Sequence, residues 1–199
     1  MTLPNRLFFT GVPGSHWSGI AQDIEQVSGV NTSDHNDSRK YEPGTYTGHQ
    51  GAYFGRGMEF TAEIERLPKD YLDQHLCSPW EHCEGMKILK SHEWAYRLDY
   101  IKSEFPKDWI MLVYRPDLAS YAWWHEAGGF NIKYPSYAAY KNSENMMGEI
   151  IKQNKAMLEF AYKHEAEWSH FTNRWLADNF GGSVKVKTNF PDILVTVIR

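Results

Sequence analysis

Arg6-Leu-Phe-Phe-Thr-Gly-Val-Pro-Gly-Ser-His-Trp-Ser-Gly-Ile-Ala-Gln-Asp-Ile-Glu25 is the stretch on which the reading of the chain turns. A short apolar run, Leu7 to Phe9, gives way to Gly11, Pro13 and Gly14, and a helical pattern starts near Ser18. Strand, glycine-bearing turn and helix together present backbone N–H groups and a positive helix end to an anion. The turn lacks the Gly-Lys-Ser/Thr ending of the nucleoside triphosphate loop and the full spacing of the dinucleotide fingerprint. Taken alone it suits either a phosphate-like ligand or a plain strand-to-helix turn.

Around this turn the chain alternates strands and helices. A helix over about 18–27 is followed by a long excursion, 31–57, rich in Gly, Asn and Asp and without apolar period, which predicts a surface loop. Loops of that length are lids or disordered. The rings Tyr41, Tyr46, Tyr53 and Phe54 point to a lid that packs on something. Asp34, His35 and Asp37 read as solvated turn formers rather than metal ligands. A helix in two pieces broken at Pro68 spans 58–76. His75, Cys77, His82 and Cys83 fit no zinc spacing.

Gly85 to His92 predicts a second buried strand, 93–105 a helix, and Trp109-Ile-Met-Leu-Val-Tyr114 a strand covered on both faces. Pro116 suits the first turn of the next helix, which Gly128-Gly129 stops. A short helix over 135–140 and a long one capped by Ser143 follow, the latter with Met147, Ile151, Leu158, Ala161 and Tyr162 on one face interrupted by Asn154. A helix over 168–180 and a final strand over 192–198 complete the chain. The alternation predicts one α/β domain, 1–199, with a mostly parallel sheet flanked by helices.

With 199 residues there is room for one ordinary core. A net charge of −4 argues against bulk attraction to nucleic acid or to an anionic membrane, so any anion needs a local site. No run is long enough to span a membrane and no basic-then-apolar leader is present, which predicts a cytoplasmic protein. The only cysteines, Cys77 and Cys83, make no disulfide framework.

Ligands of parallel α/β sheets bind beyond the carboxyl ends of the strands. Three such ends carry reactive or cationic groups here: the turn at 11–18, Lys90-Ser91-His92, and Arg115. Lys90 and His92 are two apart, so in a continuing strand they share a face. An imidazole to take a proton and a cation to balance charge, beside an anion cradle, suit transfer of an anionic group. The plainer alternatives are a snorkelling Lys90, a helix-capping His92 and an Arg115–Asp117 pair.

Lys87-Ile-Leu-Lys-Ser-His92, a helix, and then the run from Trp109 through Arg115 to His125 resemble the central part of sulfotransferases that use 3′-phosphoadenosine 5′-phosphosulfate (PAPS). The resemblance covers 6–28 and 86–125 and fits the last strand more loosely. It implies the P-loop-like sulfotransferase fold and in-line transfer of a sulfuryl group to a hydroxyl or amine of a small-molecule acceptor, with PAP as product and no metal. It implies His92 as general base and Lys90 as stabiliser of the group in flight. It also implies that Gly14, Ser15, His16, Trp17 and Ser18 hold the 5′-phosphate, and that Arg115 holds the 3′-phosphate.

The family's loop reads Pro-Lys/Arg-Ser-Gly-Thr-Thr. Aligned on Pro13, its basic residue is Gly14 here, its glycine and first threonine are His16 and Trp17, and Ser18 falls at the last threonine. A backbone cradle survives these changes, whereas the side-chain cation does not, unless His16 is protonated by a bound phosphate. The family's serine eight residues after the arginine is Trp123; Ser120 is the nearest hydroxyl. The late basic-and-glycine segment has no counterpart before Arg199, which predicts weaker cofactor binding. The competing expectation is a non-catalytic module binding a nucleotide or a protein. A phosphate-transferring P-loop enzyme is disfavoured by the absent Gly-Lys-Ser/Thr and magnesium carboxylate.

Overall fold

A computed structural model describes residues 2–40, 50–55, 58–59, 64–132 and 140–199. Five strands form one sheet in the order β2 (Lys87–Lys90), β1 (Arg6–Gly11), β3 (Trp109–Tyr114), β5 (Leu194–Ile198), β4 (Ser169–His170). The first apolar run is β1 (Arg6–Gly11), and it lies between β2 (Lys87–Lys90) and β3 (Trp109–Tyr114), parallel to both. Phe9 aligns with Lys90 on one side and with Met111 on the other.

Alternate residues of these strands face two cores, as a period of two requires. Phe8, Leu89, Ile110 and Leu112 meet the helices of one side, among them α3 (Leu98–Glu104) and α5 (Ser143–Lys163). Leu7, Phe9, Ile88, Met111 and Val113 meet α1 (Trp17–Ile24) and α6 (Asn173–Phe180) on the other. The chain is thus α/β with helices on both faces of the sheet.

The sheet is mixed rather than mostly parallel. β5 (Leu194–Ile198) runs antiparallel to β3, and the two-residue β4 (Ser169–His170) runs antiparallel to β5. The reason lies in the path between α6 and β5. Gly182 lies beside Val27, Lys187 and Thr188 donate backbone N–H groups to the Asp23 carboxylate, and Phe190 reaches the His16 ring. This strap climbs along α1 from its end to its beginning. It arrives at the carboxyl edge of the parallel strands, so the last strand can only descend.

α5 also turns a different face inward from the one its sequence suggested. Met146, Ile150, Asn154, Met157 and Phe160 are buried, while Ile151, Leu158 and Tyr162 are exposed. Asn154 is the centre of the buried stripe, not its interruption. Its Nδ2 donates to the Arg115 carbonyl at 2.8 Å and to Asp117 Oδ1 at 2.6 Å, which makes burial of an amide tolerable. The cap of α5 is Asn142 rather than Ser143: the Asn142 side chain accepts from Asn145 N–H, and Ser143 is already the first helical residue.

Elsewhere the elements follow their local chemistry. α2 (Lys69–Cys77) starts behind Pro68, and α4 (Asp117–Glu126) starts behind Pro116. The helix expected over 93–105 begins as a 3-10 turn, His92–Tyr96, capped by the Ser91 hydroxyl. The helix expected from 168 starts only at Asn173, because Ser169 and His170 pair with β5.

In the 31–57 excursion residues 51–55 are buried, whereas Asn36, Asp37, Ser38 and Lys40 are exposed. Tyr53 pairs with Lys90 at the free edge of β2, its ring on Trp17, and Phe54 lies among Trp80 and Trp94. Tyr41, Tyr46 and the 135–139 part of the expected short helix lie outside the described residues. Among the described residues no helix is long and apolar enough to cross a membrane, and no group of three or more His, Cys, Asp or Glu could hold a metal.

Candidate functional site

The turn after β1 is tight. Ser15 N–H donates to the Val12 carbonyl at 3.0 Å, Gly14 sits at φ +80° and His16 at φ +62°. Both residues occupy the left-handed region, and the chain then enters α1 with His16 as its N-cap. The first N–H groups of a helix have no intrahelical partner, so they face outward from this turn. Ser15 is fully buried, and its Oγ has no hydrogen-bond partner among the described residues.

α4 closes one side of the turn. A Cβ on Gly14 would overlap the Ser120 carbonyl oxygen and approach Trp124 Cβ to 2.9 Å. The position where the sulfotransferase loop has a lysine or arginine therefore has no room for one. Ser120 itself is buried, and its hydroxyl donates to the Arg115 carbonyl at 3.2 Å.

Arg115 follows β3 directly and is 8% exposed. Its Nη1 donates to the Gly14 carbonyl at 3.3 Å, and its Nε to Asp192 Oδ2 at 2.7 Å. Trp123 and Phe190 offer their ring faces to the guanidinium at 5.7 and 5.2 Å. Asp192, not Asp117, is its carboxylate. The strap thus brings Phe190 and Asp192 to the turn, and neither residue carried a sequence signal.

His16 packs its ring on Phe190, centroids 4.6 Å apart, and edge-on to Trp123. Burial lowers its pKa, the neighbouring Arg115 lowers it further, and Asp23 only partly opposes them. His16 is therefore neutral at pH 7. Gly19 leaves the space for this ring, since a Cβ there would come 2.6 Å from its Nε2.

His92 lies beneath the same turn. Its Nδ1 is bonded to the Gly11 carbonyl and its ring centroid is 4.3 Å from that of Trp17. A carbonyl can only accept, so Nδ1 carries the proton and Nε2 the lone pair. Burial drives its pKa to about 4, against the opposing pull of the Gly11 bond.

Lys90 shares the α1 side of the sheet with His92 but points to the other end of that helix. Its Nζ donates to Glu25 Oε1 at 2.9 Å and to the Gln50 carbonyl at 2.6 Å. α1 has eight residues, so about 12 Å separates its ends. Burial pushes the Glu25 carboxyl up, yet Lys90 and His35 outweigh it and bring it down to about 2. Asp34 belongs to this cluster. It is 3% exposed rather than solvated, accepts Ala52 N–H at 2.6 Å, and is raised by burial against the pull of Lys90.

Arg115, Ser120 and the turn 14–18 are therefore together, His92 underlies them, and Lys90 is at a distance. The group can hold an anion through backbone N–H groups and one guanidinium, and can offer a neutral imidazole as a proton acceptor. No family model, curated protein or solved structure matches the chain.

Proposed function

We propose that the chain is a small sulfotransferase using PAPS, with the donor held at the turn between β1 and α1. The observation that carries this reading is the Arg115 guanidinium 3.3 Å from the Gly14 carbonyl, in the turn that opens a helix. Helix-start N–H groups plus a planar cation are the donor set that phosphate and sulfate oxygens select. PAPS supplies an activated sulfuryl group when bound. The backbone of residues 14–18 would hold its 5′ anion, and Arg115 a phosphate. His92 is poised as the base: neutral at pH 7, oriented by Gly11, with its lone pair on Nε2. The acceptor is a small molecule with a hydroxyl or amine, and the reading takes the protein as cytoplasmic.

A second reading is a non-catalytic nucleotide- or protein-binding module on a degenerate sulfotransferase fold. The Lys90–Glu25 pair at the far end of α1 favours it, because Lys90 would have to leave Glu25 to reach a sulfuryl group. Millimolar PAP is expected to raise the melting temperature, and Arg115→Ala to remove that rise. No shift with PAP or PAPS would sink the donor assignment. Tight PAP binding without transfer of labelled sulfate to a broad acceptor panel would leave the binding module.

A further inference from the structure

We infer that Arg115 is the cation for the donor's 5′ end, standing in for the basic side chain that the turn does not carry at Gly14. This rests on the sulfotransferase reading and departs from the 3′-phosphate role that the resemblance implies for the same arginine.

Among the described residues, the packing around the turn brings positions 14, 16 and 115 into question as carriers of a positive charge. A side chain at position 14 is excluded twice, by φ +80° and by the backbone of Ser120. His16 sits among Phe190, Trp123 and Arg115, where burial and the guanidinium keep its ring neutral. Arg115 remains. Its side chain is bonded to the turn itself, where the backbone N–H groups other than that of Ser15 would hold the anion.

The guanidinium has donors to spare. It has five N–H groups, of which one goes to Asp192 and one to Gly14. The three others suit two oxygens of a phosphate or phosphosulfate in the paired geometry that a lysine cannot copy. The inference has a consequence for specificity. If the cation serves the 5′ group, nucleotides with a 5′-phosphate or 5′-phosphosulfate bind through Arg115 whether or not a 3′-phosphate is present.

The test is titration of the full chain and of Arg115→Lys and Arg115→Met with PAP, adenosine 5′-monophosphate and adenosine 3′-monophosphate. Loss of the paired, charged hydrogen bonds is expected to weaken PAP and the 5′-monophosphate by the same factor, about tenfold for the lysine variant. The 3′-monophosphate is expected to be unaffected. Weakened PAP with unchanged 5′-monophosphate overturns the inference and leaves the sulfotransferase reading standing. Wild-type protein that ignores PAP at millimolar concentration overturns that reading, and the inference with it. Melting curves without ligand report whether the variants fold. If neither does, a crystal structure of the wild-type complex with PAP decides by whether Arg115 faces the 5′ or the 3′ phosphorus.

Discussion

Gly14 and Ser120 are packed backbone against backbone, so closely that one added carbon on Gly14 would overlap the Ser120 carbonyl oxygen. Introducing a lysine by Gly14→Lys should therefore destabilise the protein rather than add a cation to the turn. The left-handed backbone alone costs a side chain about 1–2 kcal/mol, and displacing the start of α4 adds to it. For a chain of this size about 3 kcal/mol lowers the melting temperature by roughly 6–12 °C. Differential scanning calorimetry checks this. A variant as stable as the parent, with tighter PAP binding, would show that the turn has room for its own cation.

Asp192 takes the Nε donor of Arg115 and sets a negative charge beside the donors left for a phosphate, and its side chain is 33% exposed. Asp192→Asn is expected to leave the fold intact and to tighten PAP binding roughly tenfold at low salt. The gain should shrink as salt rises, because the repulsion removed is between partly solvated charges. Calorimetric titration at two ionic strengths reads both effects. Weaker binding by the variant would mean that Asp192 orients Arg115 for the ligand instead of competing with it.

The elements that local chemistry decides were legible in the sequence: β1, β2, β3 and β5 from their apolar runs, and the starts of α2 and α4 from Pro68 and Pro116. The direction of β5 was not, because it depends on the strap climbing α1, and the strap's anchors are backbone N–H groups meeting Asp23. The face of α5 was misread because apolar residues stand on both sides of the helix. Only the partners of Asn154 reveal which side is inside. Arg115 beside the turn followed from topology, since both end parallel neighbours β3 and β1. The separation of Lys90 from that turn did not, because a lysine is long enough to reach either end of a helix, and Glu25 chooses.

Lys90 and Glu25 form a nearly buried ion pair, with side chains 2% and 10% exposed. Removing one partner leaves a buried charge, so Glu25→Gln should cost about 3–5 kcal/mol, whereas Glu25→Leu with Lys90→Met should come closer to the parent. The pH dependence has a definite sign. The Glu25 carboxyl is brought down to about 2 in the fold, below its ordinary 4.5. The stability it contributes is thus complete above pH 4.5 and disappears as pH falls toward 2. Urea denaturation of parent and double variant from pH 7 to 3 tests this. Equal acid sensitivity in both would remove Glu25 from the account.

His92 titrates in the opposite sense to a paired histidine. Its folded pKa is held at about 4, below the ordinary 6.5, because burial disfavours the imidazolium. Below pH 6.5 the unfolded chain takes up a proton that the folded chain refuses. Stability from this group is therefore complete above pH 6.5 and is lost as pH falls toward 4, by up to about 1.4 kcal/mol per pH unit. His16, also lowered by burial and by Arg115, adds to the same slope. His92→Gln should flatten that slope between pH 6.5 and 5, above the range where most carboxylates titrate, leaving the part owed to His16. Denaturation midpoints at pH 7.5, 6.5 and 5.5 measure it, and parallel curves for parent and variant would refute a neutral, buried His92. The same shift bears on the proposed sulfuryl transfer: a base with a pKa of about 4 keeps its lone pair down to that pH, so the acidic limb of that proposed activity should fall near pH 4 rather than near 6.5.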